Sequence, residues 1–338
     1  MIFYQSVDVQ LAKLIIEPLQ RLHSTGFVFE GSPFVIIIDG LDECQGTNIQ
    51  SALVKSLYLA FGCFPLRVRI LIASRPETYL QSTFTLSSVQ PHVTRLALSD
   101  KYSAEEDIHL FLADSFNKIK HEHPLTSYIP TPWPSPGVLH ELTRKSSGQF
   151  IFASTIVKYV GGDPHKLPHH RLDIIRSLRP PKGEKDMPYA ELNCLYHHVL
   201  SNVNDIEAVK KVLGVLVIIN PTLIKSGYPN CIDTTYQMDH FLLWEPGETK
   251  ACLSQLASII ECSTSLSGAI DILHASLLDF LLDPFRSDQF YLCRESILSD
   301  CAAYGLVHLR QKELSEYGVL FIYFGVYSLS ANLQNILY

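Results

Sequence analysis

Three carboxylates and one guanidinium carry the chemistry this sequence can offer. In PFVIIIDGLDEC, residues 33–44, the β-branched run Val35–Ile38 leads into Asp39, then Gly40, then Asp42 and Glu43. A second apolar run, RVRILIASRPE at 67–77, ends in Ser74 and Arg75. An acid at the tip of an apolar strand can hold Mg²⁺, directly or through water, because a hard dication takes oxygen ligands. A second acid nearby can accept the proton of an attacking water. A guanidinium can neutralise a terminal phosphate. The set therefore suits a nucleotide site, with Asp39 as the Mg²⁺ ligand, Glu43 or Asp42 polarising water, and Arg75 on the phosphate. Each residue also has a plainer reading. Asp39 can cap a turn, Asp42 and Glu43 can be solvated, and Arg75 can pair with Glu77.

Placing these groups together requires a particular local fold. A continuous apolar run between Pro33 and Gly40 predicts a strand covered on both faces, as in a parallel α/β sheet. Ile49, Leu53, Leu57 and Phe61 recur every fourth residue after a possible cap at Thr47 or Asn48, and Pro65 stops this helix. Strand, helix and strand make a βαβ unit, which brings both polar tips to one sheet edge, where open α/β sheets bind ligands. An amphipathic helix over 8–23 precedes the unit, and HVTRLAL at 92–98 predicts a further strand.

Beyond residue 100 the texture becomes helical. Ser103 and Glu106 form a capping-box pattern ahead of a long amphipathic stretch. The five prolines of 124–137 mark a loop, and helical periodicity returns near 138–145, 149–160 and 169–178. Leu192, Leu195, Tyr196 and Val199 share a helical face; IEAVKKVLGVLVII follows, and mixed short segments run to Phe290. His274 heads a further amphipathic helix, where a capping or half-buried histidine is the plainer reading and a phosphate contact the functional one.

Several function classes lack support. The 338 residues carry a formal charge of −7, so there is no basic footprint for nucleic acid. The eight cysteines are scattered without a CxxC pair, which suits reduced thiols in a cytosolic protein. His121/His123, His169/His170 and His197/His198 lack the spacing of a structural zinc site. The N-terminus has no secretory pattern, and the apolar run at 317–329 is shorter than the roughly 18–20 residues of a membrane span. No G-x-S-x-G elbow is present, and no lysine follows a glycine, so a Gly-Lys-Ser/Thr phosphate loop does not occur.

VIIIDGLDEC followed by RILIASRPE resembles the Walker B and sensor 1 segments of NACHT-type signal-transduction NTPases, the fungal NACHT proteins above all. WPSPGVLHELTRKSSGQFIFAST (133–155), LNCLYHHVL (192–200) and LHASLLDFLLDPFRSDQFY (273–291) agree with that family's helical and winged-helix segments. The resemblance implies a partial P-loop NTPase sheet followed by helical and winged-helix-like domains, mainly α overall. It divides the chain at 1–100, 101–186, 187–291 and a helical tail, 292–338. It implies a cytoplasmic switch that binds ATP or GTP with Mg²⁺, whose nucleotide exchange drives association with itself or with related NACHT chains. Signalling of the heterokaryon-incompatibility or innate-immunity kind follows from the same likeness. Position by position, Asp39 becomes the Mg²⁺ acid, Glu43 with Asp42 the water-activating acids, Arg75 the sensor arginine, and His274 the histidine that meets the diphosphate. Because the phosphate loop would lie upstream of Met1, the sequence is expected to be a truncated member or an incomplete gene model with negligible hydrolysis. The alternative is a non-enzymatic interaction fragment.

Overall fold

The computed structural model describes residues 5–26, 34–44, 47–61, 68–97, 104–180, 189–221, 232–263 and 268–310. The described residues are mainly helical, with two small sheets. It divides into two units, Met1–Ala97 and Leu98–Tyr338.

The first unit opens with α1 (Val7–Leu11), which passes through a π-helical turn at Ala12–Ile16 into α2 (Glu17–Ser24). Pro18 lies in the first turn of α2. It has no N–H to give the preceding turn, and the widened turn absorbs the missing bond. Strand β1 (Phe34–Ile38) and strand β2 (Val68–Ile72) pair in parallel, with Phe34 opposite Val68 and Ile38 opposite Ile72. Helix α3 (Thr47–Phe61) makes the crossover between them. Helix α4 (Thr78–Phe84) follows β2 and packs on α3. Leu41, Val54, Leu80 and Val89 form the small core, with Ile38 and Ile72 against it.

Three sequence expectations need correction here. Among the described residues the sheet is not covered on both faces: burial alternates along each strand, and Val35, Ile37 and Leu71 are 51%, 69% and 59% exposed. An unbroken β-branched run satisfies the sheet's pleat whether one face or two is buried, so the run alone could not decide. Helix α3 buries Gln50, Val54 and Leu57 while Ile49 is exposed, because its inner face is the one that carries Gln50 to the strand tips. Residues 93–97 form no strand, and Val93 and Leu96 face solvent. Apolar alternation there has no neighbouring ladder among the described residues. Pro65 and Ser103 lie outside them.

In the second unit a single core runs from Ile108 to Cys301. Helix α5 (Ala104–Glu122) contributes the fully buried Ile108, Leu112 and Phe116 and packs on α6 (Pro136–Ser146) and α7 (Phe150–Gly161). In the proline-rich segment Trp133 meets Phe116 edge-on, with ring centroids 5.5 Å apart. Helix α8 (Pro168–Ser177) packs on α7, and α9 (Ala190–Ser201) buries Leu192, Leu195, Tyr196 and Val199 together, as the helical spacing predicts.

Helix α10 (Ile206–Gly214) starts where the Asp205 carboxylate accepts the Ala208 N–H at 2.9 Å, and it widens into a buried π-helical turn at Val215–Ile219. Helices α11 (Thr235–Leu242) and α12 (Glu248–Leu253) precede the antiparallel pair β3 (Ile260–Cys262) and β4 (Ile270–Ile272). A full capping box, Thr234 with Gln237, begins α11. Short helices α13 (Ala275–Leu281) and α14 (Pro284–Ser287) lead to α15 (Arg294–Arg310), which crosses α10 where Gly214 lets Ile297 approach. Residues 311–338, most of the tail, lie outside the described residues.

Candidate functional site

Parallel pairing brings the two polar strand tips side by side. The chain leaves β1 through Asp39 and turns at Gly40, whose φ of +65° lies in the left-handed region that a side chain disfavours. A single 3₁₀ turn, Leu41–Glu43, follows. Backbone hydrogen bonds then stitch this turn to the end of β2. The Ala73 N–H donates to the Ile38 carbonyl at 2.8 Å, and the Leu41 N–H donates to the Ala73 carbonyl at 3.2 Å.

Asp42 closes the rim. Its Oδ1 accepts the Arg75 backbone N–H at 2.9 Å and the Ser74 hydroxyl at 3.1 Å, while Oδ2 lies 3.4 Å from Arg75 Nε. Its side chain is only 9% exposed, against 39% for Arg75. From α3, the buried Gln50 donates through Nε2 to the Asp42 carbonyl at 2.9 Å and also bonds the Cys44 carbonyl. The turn is thus held from β2 and from α3 at once. Tyr79 sits beside this cluster with its phenol raised above the ordinary tyrosine value, first by burial and then by Glu77, with a Gln50 hydrogen bond acting the other way.

The predicted acids therefore divide. Asp39 and Glu43 are exposed on the rim, and the Glu43 carboxylate folds back so that its Oε2 would lie 3.2 Å from a β-carbon added at Gly40. Asp42 has both oxygens engaged within the protein. Arg75 meets Asp42 rather than forming the alternative pair with Glu77, whose N–H instead donates to the Arg75 carbonyl at 2.9 Å. Ser74 and Gln50, to which sequence reasoning gave no part, are structural members of the site. The only sequence signal for Gln50 was a polar residue on the inner stripe of α3.

As for Mg²⁺, no group of three or more His, Cys, Asp or Glu side chains among the described residues could hold a metal ion. Mg²⁺ at phosphoryl-transfer sites asks for less: one or two carboxylates, with phosphate oxygens and water completing the shell. The exposed Asp39 fits that requirement as a co-ligand beside a bound phosphate. It would supply charge neutralisation there.

His274 belongs to the second unit, where it caps α13. Its Nδ1 accepts the Ser276 N–H at 3.0 Å, which places the proton of the neutral ring on Nε2. The Ser276 hydroxyl lies 2.7 Å from the same nitrogen and 2.8 Å from the hydroxyl of the fully buried Tyr196. Burial above all raises the Tyr196 phenol. The capping alternative for this histidine is thus realised.

A second polar cluster joins α7, α8 and α9. The Tyr159 hydroxyl meets His198 Nε2 at 2.8 Å, the Arg171 guanidinium lies over the Tyr159 ring at 4.0 Å, and Arg171 Nη1 reaches Asp163 Oδ2 at 3.2 Å. Burial and then Arg171 hold His198 below the ordinary histidine value. The Asp163 carboxyl is held low although desolvation pushes it upward, because the His165 N–H, Lys166 and Arg171 together outweigh that push. No helix among the described residues is long and apolar enough to cross a membrane.

Comparison with known proteins returned neither a matching family model nor a matching curated protein.

Proposed function

We propose that this chain carries the Walker B and sensor 1 half of a NACHT-type nucleotide-dependent switch. The observation that carries the reading is the rim itself: parallel strand tips, one bearing Asp39 and Glu43, the other Ser74 and Arg75, joined through Asp42. Ligands of open α/β sheets bind outside the carboxyl ends of such strands. Asp39 would hold Mg²⁺ against a nucleotide phosphate. Glu43 would accept the proton of the attacking water, since Asp42 is occupied, and Arg75 would neutralise the terminal phosphate. With no Gly-Lys step to cradle phosphates, turnover by this sequence is negligible.

Titration of the full chain with fluorescent ATP and GTP analogues, with and without Mg²⁺, tests the reading. Weak Mg²⁺-dependent binding is expected, falling about tenfold in Asp39→Asn, the order of one lost charge-assisted contact. Binding indifferent to Mg²⁺, Asp39 and Arg75 alike would sink it. The same titration on His274→Gln tests the implied diphosphate contact.

One observation favours the alternative, a non-enzymatic module that pairs with copies of itself or with related chains. The exposed face that carries Val35, Ile37 and Leu71 is largely apolar, with Arg69 opposite Val35 on the same side. Sedimentation across a concentration series distinguishes the two readings: association abolished by Ile37→Lys, with no nucleotide effect, supports the second.

A further inference from the structure

Phe285, in α14, is 95% exposed, more than any other large apolar side chain among the described residues. The turn that carries it is braced. Asp283 Oδ1 accepts the Phe285 and Arg286 N–H groups at 2.9 and 3.3 Å, and the Ser287 hydroxyl donates to the Asp283 carbonyl at 2.8 Å. His197 Nε2 donates to the Arg286 carbonyl at 2.9 Å, and Arg286 Nη2 donates to Asn193 Oδ1 at 3.0 Å. The backbone under the ring therefore has little ordering left to lose on association, which is what an aromatic anchor requires.

The same unit holds a cleft of the size to take such a ring. Between the proline-rich segment and α8 lies a space of about 220 Å³. A cavity of roughly 150 Å³ already admits benzene, so a benzyl group fits. The proline segment lines it with Pro132, Trp133 and Pro134, and Trp133 is fixed edge-on against Phe116. Helix α8 lines it with one stripe, His169, Leu172, Asp173 and Arg176, at helical spacing. His169 Nδ1 is buried without a hydrogen-bond partner, and burial above all holds the ring below the ordinary histidine value. It therefore meets a phenyl group as an uncharged aromatic. Charges of both signs border each side: Asp173 and Arg176 at the cleft, Asp283 and Arg286 at the base of Phe285. Phe285 does not fill the cleft of its own chain, as its exposure shows, so the ring offered to that cleft is a second copy's.

We propose that Phe285 of one copy inserts into the cleft between Trp133 and His169 of the next, a head-to-tail contact between different surfaces of the same chain. Such a contact propagates as a ring or a filament rather than stopping at a symmetric dimer. It lies wholly in the second unit, and it is independent of the nucleotide reading and of the exposed sheet face of the first unit.

The test is sedimentation equilibrium of the full chain up to about 1 mM, where even one buried anchor gives measurable association. Ile37→Lys is present throughout, so that the sheet face contributes nothing. Concentration-dependent association is expected, and Phe285→Ala should weaken it roughly ten- to a hundredfold, the worth of burying one phenylalanine. Ser135→Trp fills the cleft from an exposed position whose hydroxyl makes no capping bond, and it should weaken association as much. The decisive sample is the mixture. At a concentration where neither variant associates with itself, the two together should form a one-to-one dimer and go no further, because one keeps the ring and the other the cleft. Far-UV circular dichroism and melting like those of the parent show that each variant is folded. Should Ser135→Trp melt early, Pro130→Trp, at another exposed position of the cleft, takes its place. A parent chain that stays monomeric, association that survives Phe285→Ala, or folded variants that fail to pair when mixed each overturn the proposal.

Discussion

Gly214, at the end of α10, is the place where helix propensity and packing give opposite predictions for one methyl group. Propensity alone makes Gly214→Ala stabilising by about 1 kcal/mol in a helix interior. A β-carbon built there, however, would lie 2.6 Å from Ile297 Cδ1, 2.9 Å from Cγ2 and 3.1 Å from Cγ1 of α15. Ile297 is 9% exposed, and both its branches face the glycine, so turning one branch away brings the other in. Overpacking of this kind costs roughly 1–3 kcal/mol. The cost exceeds the propensity gain, and Gly214→Ala should destabilise the second unit by about 1 kcal/mol. The double-mutant cycle isolates the cause. Ile297→Ala alone should cost about 2–4 kcal/mol. In that background Gly214→Ala should reverse sign and stabilise by about 1 kcal/mol, a coupling of roughly 2 kcal/mol. Urea unfolding followed by circular dichroism, with equal denaturant slopes required before midpoints are compared, provides the assay. A Gly214→Ala chain more stable than the unaltered one would refute the packing argument outright, because the contact would then be relaxed at no cost.

Two further expectations concern the site and the polar cluster. Gly40→Ala should destabilise the first unit by about 1–2 kcal/mol, the cost of a left-handed side chain, and displace Glu43; faster hydrogen exchange at the Leu41 and Ala73 amides checks it. His198 is held below its ordinary value, so the folded chain favours the neutral ring. Its contribution is complete above the unfolded value of about 6.5 and is lost as pH falls through that value toward the folded one. Thermal melting should therefore drop more steeply on acidification in the unaltered chain than in His198→Gln, and equal slopes would remove His198 from the account.

The sequence carried the elements more faithfully than it carried their surroundings. Helix α9 was legible because Leu192, Leu195, Tyr196 and Val199 repeat at helical spacing and all four are buried. The β1–α3–β2 unit was legible because two apolar runs flank a helical period. What covers a strand is not written along the strand, and Val35 and Ile37 would look the same under a helix as in water. Likewise the alternation in 92–98 promises a strand only if a partner ladder exists. At the site, the residue types and their common edge were readable from Asp39, Asp42, Glu43 and Arg75. The division of labour was not: that Asp42 faces inward and Glu43 outward depends on the handedness of one turn at Gly40. Gln50's part was hidden because its inward face is set by the pairing of α3 with the strand tips.

The clamp between Asp42 and Arg75 joins residues 33 positions apart, with all of α3 in the enclosed loop. The entropy of closing a flexible loop grows only with the logarithm of its length, so doubling the enclosed segment adds roughly 0.6 kcal/mol. The rim is therefore insulated from the length of its own crossover. Residues added beyond either end of α3, which leave the register of Gln50, Val54 and Leu57 intact, can accumulate while the carboxylate, hydroxyl and guanidinium keep their spacing. Such insulation lets a lineage vary the surface of the crossover, and whatever that surface meets, without renegotiating the chemistry at the strand tips.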